Sequence, residues 1–259
     1  MSGVAVHPDQ YEEDRALTLR NRARLDANKN LLYWYRRLYE QQFGALNATN
    51  LRVLEIGSGV SPLKRFYDNV LTSDVLDLDY LDYVFDCHEI DHFQPIPDQS
   101  LDAIALTNVL HHLKDPIGFL NKAAAKLKKG GCIIATEPYF STLSTLIFKH
   151  LHHEPVDFAV EEPVLSEIRG PLSSANIALP WLIFVRHKEW RRRLEAKFCF
   201  TPDSFQPFSS ISYMATGGIS HRIPMPLLIY RLLFRVDLTL SRMLPKLFAS
   251  FFIIRLTRK

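Results

Sequence analysis

The chain is poor in the residues that cross-link or span. Its 259 residues include three cysteines, Cys87, Cys132 and Cys199, widely separated and odd in number, which disfavours a disulfide framework or a paired-cysteine metal knuckle. Such usage fits a reducing compartment, and a cytoplasmic location is expected. No uninterrupted apolar run approaches the roughly eighteen residues a transmembrane helix needs. The mixed charged and polar stretch through Arg24 lacks the apolar central segment of a secretory signal. Net charge is nearly absent: 31 basic against 28 acidic side chains leave +3, too little to imply a nucleic-acid partner. No internal repeat or low-complexity tract is present.

What is there is apolar material, 47% of residues with 12% aromatic, enough to bury the core of one large α/β domain with a cap. Residues 1–50 read as a helical lead-in, with Leu17, Leu25, Leu31, Leu32, Tyr35, Leu38 and Tyr39 at mostly helical intervals. Strand candidates follow at 51–56, 69–75, 83–85, 101–106 and 132–136, alternating with helical or loop segments, as in a parallel sheet. Pro116 to Lys129 reads as an amphipathic helix stopped by Gly130-Gly131. The core therefore runs over 51–138. Residues 139–190 carry Pro155, Pro163, Gly170, Pro171 and Pro180 without a repeated βα unit and read as an inserted cap. Within 191–259, Trp190 to Lys197 is an expected helix, Phe208 to Met214 and Phe248 to Leu256 are expected strands, and Pro224 to Leu247 is an expected amphipathic helical pair. The expected strands number seven.

The sharpest local pattern is Val53-Leu54-Glu55-Ile56-Gly57-Ser58-Gly59 followed by Asp74 at the end of the next strand candidate. Glycines let a backbone turn approach a ligand closely, and a carboxylate at the second strand end can accept both hydroxyl hydrogens of a ribose. An adenosine-type ligand is implied. The third glycine of the dinucleotide pattern is replaced by Pro62, which argues against a nicotinamide dinucleotide. Asp77 can replace Asp74 if the strand ends later.

Further along stand Phe85-Asp86-Cys87-His88-Glu89-Ile90, Ile96-Pro97-Asp98-Gln99-Ser100-Leu101-Asp102-Ala103-Ile104, and Asn108-Val109-Leu110-His111-His112-Leu113. With the glycine turn they form four motifs in order over residues 51–139, and this stretch resembles the class I S-adenosylmethionine (SAM)-dependent methyltransferases, in particular the broad methyltransferase type 11-like group. Cys87 stands where that group often has alanine, and Asp91 to Gln94 lengthen the loop before Ile96. The resemblance implies a Rossmann-like, seven-stranded, mostly parallel α/β sheet with helices on both faces and an inserted cap, and SAM as cofactor. It implies that Glu55 organises the glycine turn, formed by Gly57, Ser58 and Gly59, and the ammonium side of the methionyl moiety. Asp74 then binds the ribose diol, Asp86 and the Cys87 amide face the adenine, and Thr107 and Asn108 line the pocket. A nicotinamide-dependent oxidoreductase and a non-catalytic SAM-binding module remain as alternatives.

The acceptor side is less defined. SAM is already an electrophile, so orientation dominates, and a hydroxyl acceptor also needs a base. The candidates are His111, His112, Glu137 and His153, with His152 beside it; for the first two, packing and capping before Asp115-Pro116 is the competing role. No metal is expected, because adjacent histidines lack a third partner at a usual spacing. His150, His152-His153-Glu154-Pro155 and Asp157 form a polar group that reads as an acceptor-site wall or a hinge. Bacterial relatives, many of them in surface-polysaccharide or lipid pathways, look similar through the segments Glu137-Pro138-Tyr139, His152-His153-Glu154-Pro155 and Gly217-Gly218, which raises a glycan or lipid-linked acceptor; the expected acceptor is a small molecule, a glycan or a lipid-linked group, methylated at oxygen. Arg186, Lys188 and Arg191 to Arg193, with the 224–247 helices, raise peripheral membrane contact, against a solvated helix face.

Overall fold

The computed structural model describes residues 8–44, 50–150 and 154–259. Two helices open the chain, α1 (Pro8–Ala27) and α2 (Lys29–Phe43). Asn28 separates them: its side-chain oxygen accepts from Leu31 N at 3.1 Å as an N-cap, and its amide donates to Thr216 O at 2.9 Å. The apolar face of α2 is fully buried through Leu31, Trp34 and Leu38, whereas α1 buries only Asp14, Thr18 and Leu25.

The core then runs β1 (Val53–Ile56), α3 (Leu63–Phe66), β2 (Val70–Asp74), β3 (Tyr83–Val84), β4 (Leu101–Thr107), α4 (Pro116–Ala123) and β5 (Leu127–Pro138). These five strands are parallel in the order β3-β2-β1-β4-β5. Ile56 pairs with Ser73 on one side and Leu106 on the other. Gly57, Asp74 and Thr107 therefore leave the sheet side by side. Successive strands lie on opposite sides of β1, the switch point where a crevice opens at the carboxyl edge of such sheets.

Next come α5 (Thr142–His150), α6 (Leu179–Trp181), α7 (Lys188–Arg192), β6 (Phe198–Cys199), β7 (Phe205–Phe208), α8 (Ile211–Met214), α9 (Leu227–Met243), α10 (Pro245–Phe248) and β8 (Phe251–Arg258). Strand β8 runs antiparallel to β5, and β6 and β7 both pair with its outer edge. The sheet has eight strands rather than seven because that edge position is broken at Pro202–Ser204, where a short 3-10 turn intervenes and proline has no amide to donate. One face carries Leu54, Ile104 and Ile133 against α4 and the 165–184 segment; the other carries Val53, Ala105 and Ile134 against α2 and α9.

Three sequence expectations are corrected. The helix from Pro116 stops at Ala123, not Lys129, since Leu127 is fully buried in the sheet opposite Leu101. Gly130, at φ +78°, belongs to the following irregularity, in which Ala103 pairs with Cys132. The strand expected at 208–214 ends at Phe208; Ser209 takes φ +48°, and Asp237 of α9 accepts the amides of Ser210 (2.8 Å), Ile211 (3.1 Å) and Ser212 (3.0 Å), which starts α8 instead. The helix expected over 190–197 ends at Arg192, and turns carry the chain to β6. Among the described residues no helix is long and apolar enough to cross a membrane.

Candidate active site

A cleft of about 1720 Å³ opens at the carboxyl edge of β1, β2 and β4, and Gly57, Gly59, Asp74, Asp86, Cys87, Thr107, Asn108, His111 and His112 all line it. Its roof comes from α1, through Gln10, Asp14 and Thr18, and from the 170–173 and 217–221 segments.

The glycine turn is held by sterics. Gly57 sits at φ +73°, and a Cβ there would run into the Val109 side chain. A Cβ on Gly59 would lie 2.8 Å from Thr18 Cγ2 and 3.1 Å from Asp74 Oδ2. Asp74 Oδ2 accepts from Gly59 N at 3.0 Å and Oδ1 from Leu76 N at 3.1 Å. Burial pushes this carboxyl up, while backbone amides oppose the shift. With one amide on each oxygen, lone pairs remain for two hydroxyls. Asp77 is exposed beyond the strand end and does not line the cleft. Arg22 Nη1 and Tyr80 OH both donate to Gly59 O, at 3.2 and 2.7 Å.

Glu55 and Ser58 lie behind the turn, 1% exposed each. Ser58 Oγ donates to Glu55 O at 3.2 Å and accepts from Ser73 N at 3.1 Å, so its side chain ties β1 to β2. Glu55 Oε1 accepts from Ser61 Oγ, which also meets Tyr39 OH. Oε2 is buried with no hydrogen-bond partner among the described residues, an acceptor for a donor brought by a ligand or water. Burial raises the Glu55 carboxyl to about 7. Asp86 pairs with its neighbour His88, accepting from His88 N at 2.9 Å and contacting Nδ1 at 2.8 Å; this bonding holds its carboxyl below the usual range. Cys87 is buried, and burial pushes its thiol well up. Asn108 occupies the left-handed region at φ +56°, donates its amide to Thr136 O at 2.8 Å, and has a buried side-chain oxygen without a protein partner.

On the acceptor side, the Val109–His112 turn is organised by Glu137. Its Oε1 accepts from Val109 N (2.9 Å) and Leu110 N (2.7 Å), and its Oε2 meets His111 Nδ1 at 2.6 Å. Glu137 is fully buried and does not reach the cleft surface, so it positions the turn. For His111, burial pushes the imidazole down, but Glu137 and Glu154 outweigh it and raise the value to about 10. For His112, burial and the neighbouring His111 lower it to about 4. His112 Nδ1 lies 2.8 Å from Ser174 O, and Glu154 approaches both rings, 3.5 Å from His111 Nε2 and 3.8 Å from His112 Nε2. Glu154 thus provides the third partner that the adjacent histidines lack in local spacing. His152 and His153 lie outside the described residues.

Sequence reasoning missed the α1 contribution. Asp14, 4% exposed, accepts from Leu172 N (2.9 Å) and Ser173 N (3.2 Å), fastening α1 to the cap. The available signal was a 20-residue helix that buries two polar side chains and only one apolar one, as expected of a helix laid over loops and a cleft rather than over a core.

The chain is similar in fold to a SAM-dependent methyltransferase from Archaeoglobus fulgidus, at 17% identity, covering 88% of this chain and 94% of that one with a TM-score of 0.49. It is similar also to a SAM-dependent methyltransferase from Thermotoga maritima, at 14% identity, covering 93% and 99% with a TM-score of 0.47. No curated protein sequence matches it. The model of the methyltransferase-domain family matches residues 21–193, more than half of the chain. The glycine turn, Asp74 and Asp86 lie inside that span, and the chain belongs to the methyltransferase-domain family as a class I SAM-dependent methyltransferase.

Proposed function

We propose that the chain transfers the methyl group of SAM to an oxygen of a small-molecule acceptor that is glycan- or lipid-linked. The observation carrying this reading is that His111, His112 and Glu154 face the same cleft as Asp74 and the glycine turn. SAM supplies an electrophilic methyl sulfonium. Asp74, Asp86 and the turn hold its adenosyl end, and Asn108 Oδ1 and Thr107 Oγ1, on cleft-lining residues, are buried acceptors left for its polar groups, with Glu55 Oε2 behind the turn. An acceptor oxygen in line with the methyl uses a lone pair to form the C–O bond. The C–S bond breaks with its electron pair remaining on sulfur, and the hydroxyl proton passes to the Glu154 carboxylate, which faces the cleft. Glu137 keeps the histidine turn in place without touching the acceptor.

Helix α9 favours delivery of the acceptor from a lipid surface. Tyr230, Phe234, Asp237 and Ser241 face inward, while Leu228, Leu232 and Met243 are 80%, 64% and 72% exposed, with Arg231 and Arg235 on the same helix. An amphipathic helix with basic flanks suits an anionic interface. The test uses the purified chain with isotope-labelled SAM and anionic liposomes carrying polyprenol-linked glycans. Mass spectrometry should find a methyl ether and flotation should carry the protein upward with the vesicles. N-methyl or C-methyl products would contradict the oxygen acceptor, and protein left at the bottom would contradict the membrane contact.

A further inference from the structure

Three groups of metal-ligating type, His111, His112 and Glu154, face one another in the cleft; on His111 a cation would take the place of the proton that Glu137 and Glu154 favour. His111 Nδ1 meets Glu137 Oε2 at 2.6 Å, and Glu137 already takes two backbone amides as a carboxylate; the imidazole therefore donates from Nδ1, and its Nε2 faces the cleft. His112 Nδ1 lies 2.8 Å from a carbonyl, Ser174 O, which can only accept, so Nδ1 carries the proton and Nε2 carries the lone pair. Both Nε2 atoms turn toward the Glu154 carboxylate, and the ligating atoms of the three residues lie within 4.8 Å of one another.

The spacing also accommodates a metal. A charge-assisted N–H···O bond closes to about 2.7–2.9 Å, whereas Glu154 stands 3.5 Å from His111 Nε2 and 3.8 Å from His112 Nε2. Two ligands of a tetrahedral ion bound at about 2.1 Å lie about 3.4 Å apart. Both rings also have their far nitrogens fixed, one by a carboxylate and one by a backbone carbonyl, the outer-shell arrangement that orients metal-binding histidines. The chain is preorganised on three elements: the turn after β4 supplies the histidines, β5 supplies Glu137, and the cap supplies Glu154 and Ser174. Two other groupings lack this character. Asp86 and His88 are bonded to each other at 2.8 Å, and Glu89, Asp91 and His92 form a largely exposed, mostly acidic set.

We propose that His111 Nε2, His112 Nε2 and Glu154 form a site for one divalent transition-metal ion of the zinc class, with a remaining coordination position open to the acceptor oxygen. Two imidazoles and one carboxylate match such ions rather than magnesium or calcium. Val109, whose side chain packs on Gly57, joins this turn directly to the glycine turn, so the open position shares the cleft with the methyl donor. A cation there makes a ligating hydroxyl more acidic and orients it. This assignment deepens, and rests on, the oxygen-acceptor reading.

The test is a titration of the EDTA-treated, dialysed full chain with Co²⁺ alone, followed by visible absorption and calorimetry, with Zn²⁺ as competitor and S-adenosylhomocysteine (SAH) binding measured in parallel. One equivalent of Co²⁺ should bind with a d–d spectrum of low coordination number, and Zn²⁺ should displace it. His112→Ala and Glu154→Gln should weaken Co²⁺ by more than about 100-fold, and Glu137→Gln by about 10- to 100-fold, the range of an outer-shell change; His92→Ala should bind as wild type. SAH binding retained in His112→Ala and Glu154→Gln shows that they are folded. Wild-type protein that binds SAH but neither metal overturns the site, as do folded variants that bind Co²⁺ like wild type. Metal bound without SAH would leave the site standing and sink the methyl-transfer reading.

Discussion

The half of the cleft proposed for the methyl donor and the half proposed for the acceptor are built on different principles. The donor half is local: Gly57, Asp74 and Thr107 emerge at the ends of three hydrogen-bonded parallel strands, and the register that pairs Ile56 with Ser73 and Leu106 brings them together. The acceptor half is assembled from distant segments. Asp14 on α1 reaches Ser173, 159 positions away, and His112 reaches Ser174, 62 positions away. Strand pairing fixes geometry within a few residues of a motif, whereas a cap is placed only by tertiary contacts. The donor chemistry is therefore a property of short patterns, and the acceptor chemistry is a property of the folded chain.

This contrast can be broken first at α1. Asp14→Ala leaves the amides of Leu172 and Ser173 without their acceptor, and a loss of about 1–3 kcal/mol of stability is expected, read by urea denaturation. SAH affinity should change less than stability does. An unchanged denaturation midpoint would show that α1 is not what fastens the cap.

A smaller effect separates the halves by pH. The Glu55 carboxyl is raised by burial to about 7 in the folded chain, against a usual carboxylate value near 4.3 when unfolded. Between those values the folded state holds a proton that the unfolded state has released, so ligand-free stability falls as pH rises through this window. Below it the contribution is fully present. Glu55→Gln should flatten that part of the pH dependence without altering the acceptor half, as thermal unfolding at several pH values would show. A slope identical to wild type would mean that Glu55 stays ionised throughout.

The same contrast explains what could be read in advance. The strand–glycine turn–acid pattern, the alternation of strands and crossovers in the parallel core and the amphipathic helices within 224–247 were visible because each follows from local patterning. The α8 helix was not, because it depends on Asp237, which lies 25 to 27 positions after the amides it accepts, and the edge strand is broken by the turn at Pro202–Ser204. The helix at Pro116 was overestimated because Leu127 continues its apolar spacing yet is taken by the sheet. Glu154 appeared only as one polar residue in a cap, since its approach to His111 and His112 is a contact between loops. The nicotinamide-dependent alternative falls with the family membership.

In the proposed reading, the turn at residues 57–59 and the carboxylate of Asp74 cradle an adenosyl group. Calorimetry of SAH binding to wild type and to Asp74→Ala tests it most directly. Charged hydrogen bonds are worth about 1.5–3 kcal/mol each, so the variant should bind about 10- to 100-fold more weakly, measured at a temperature where it is folded because the Gly59 and Leu76 amides also lose their acceptor. Equal affinity in the two proteins would contradict the account.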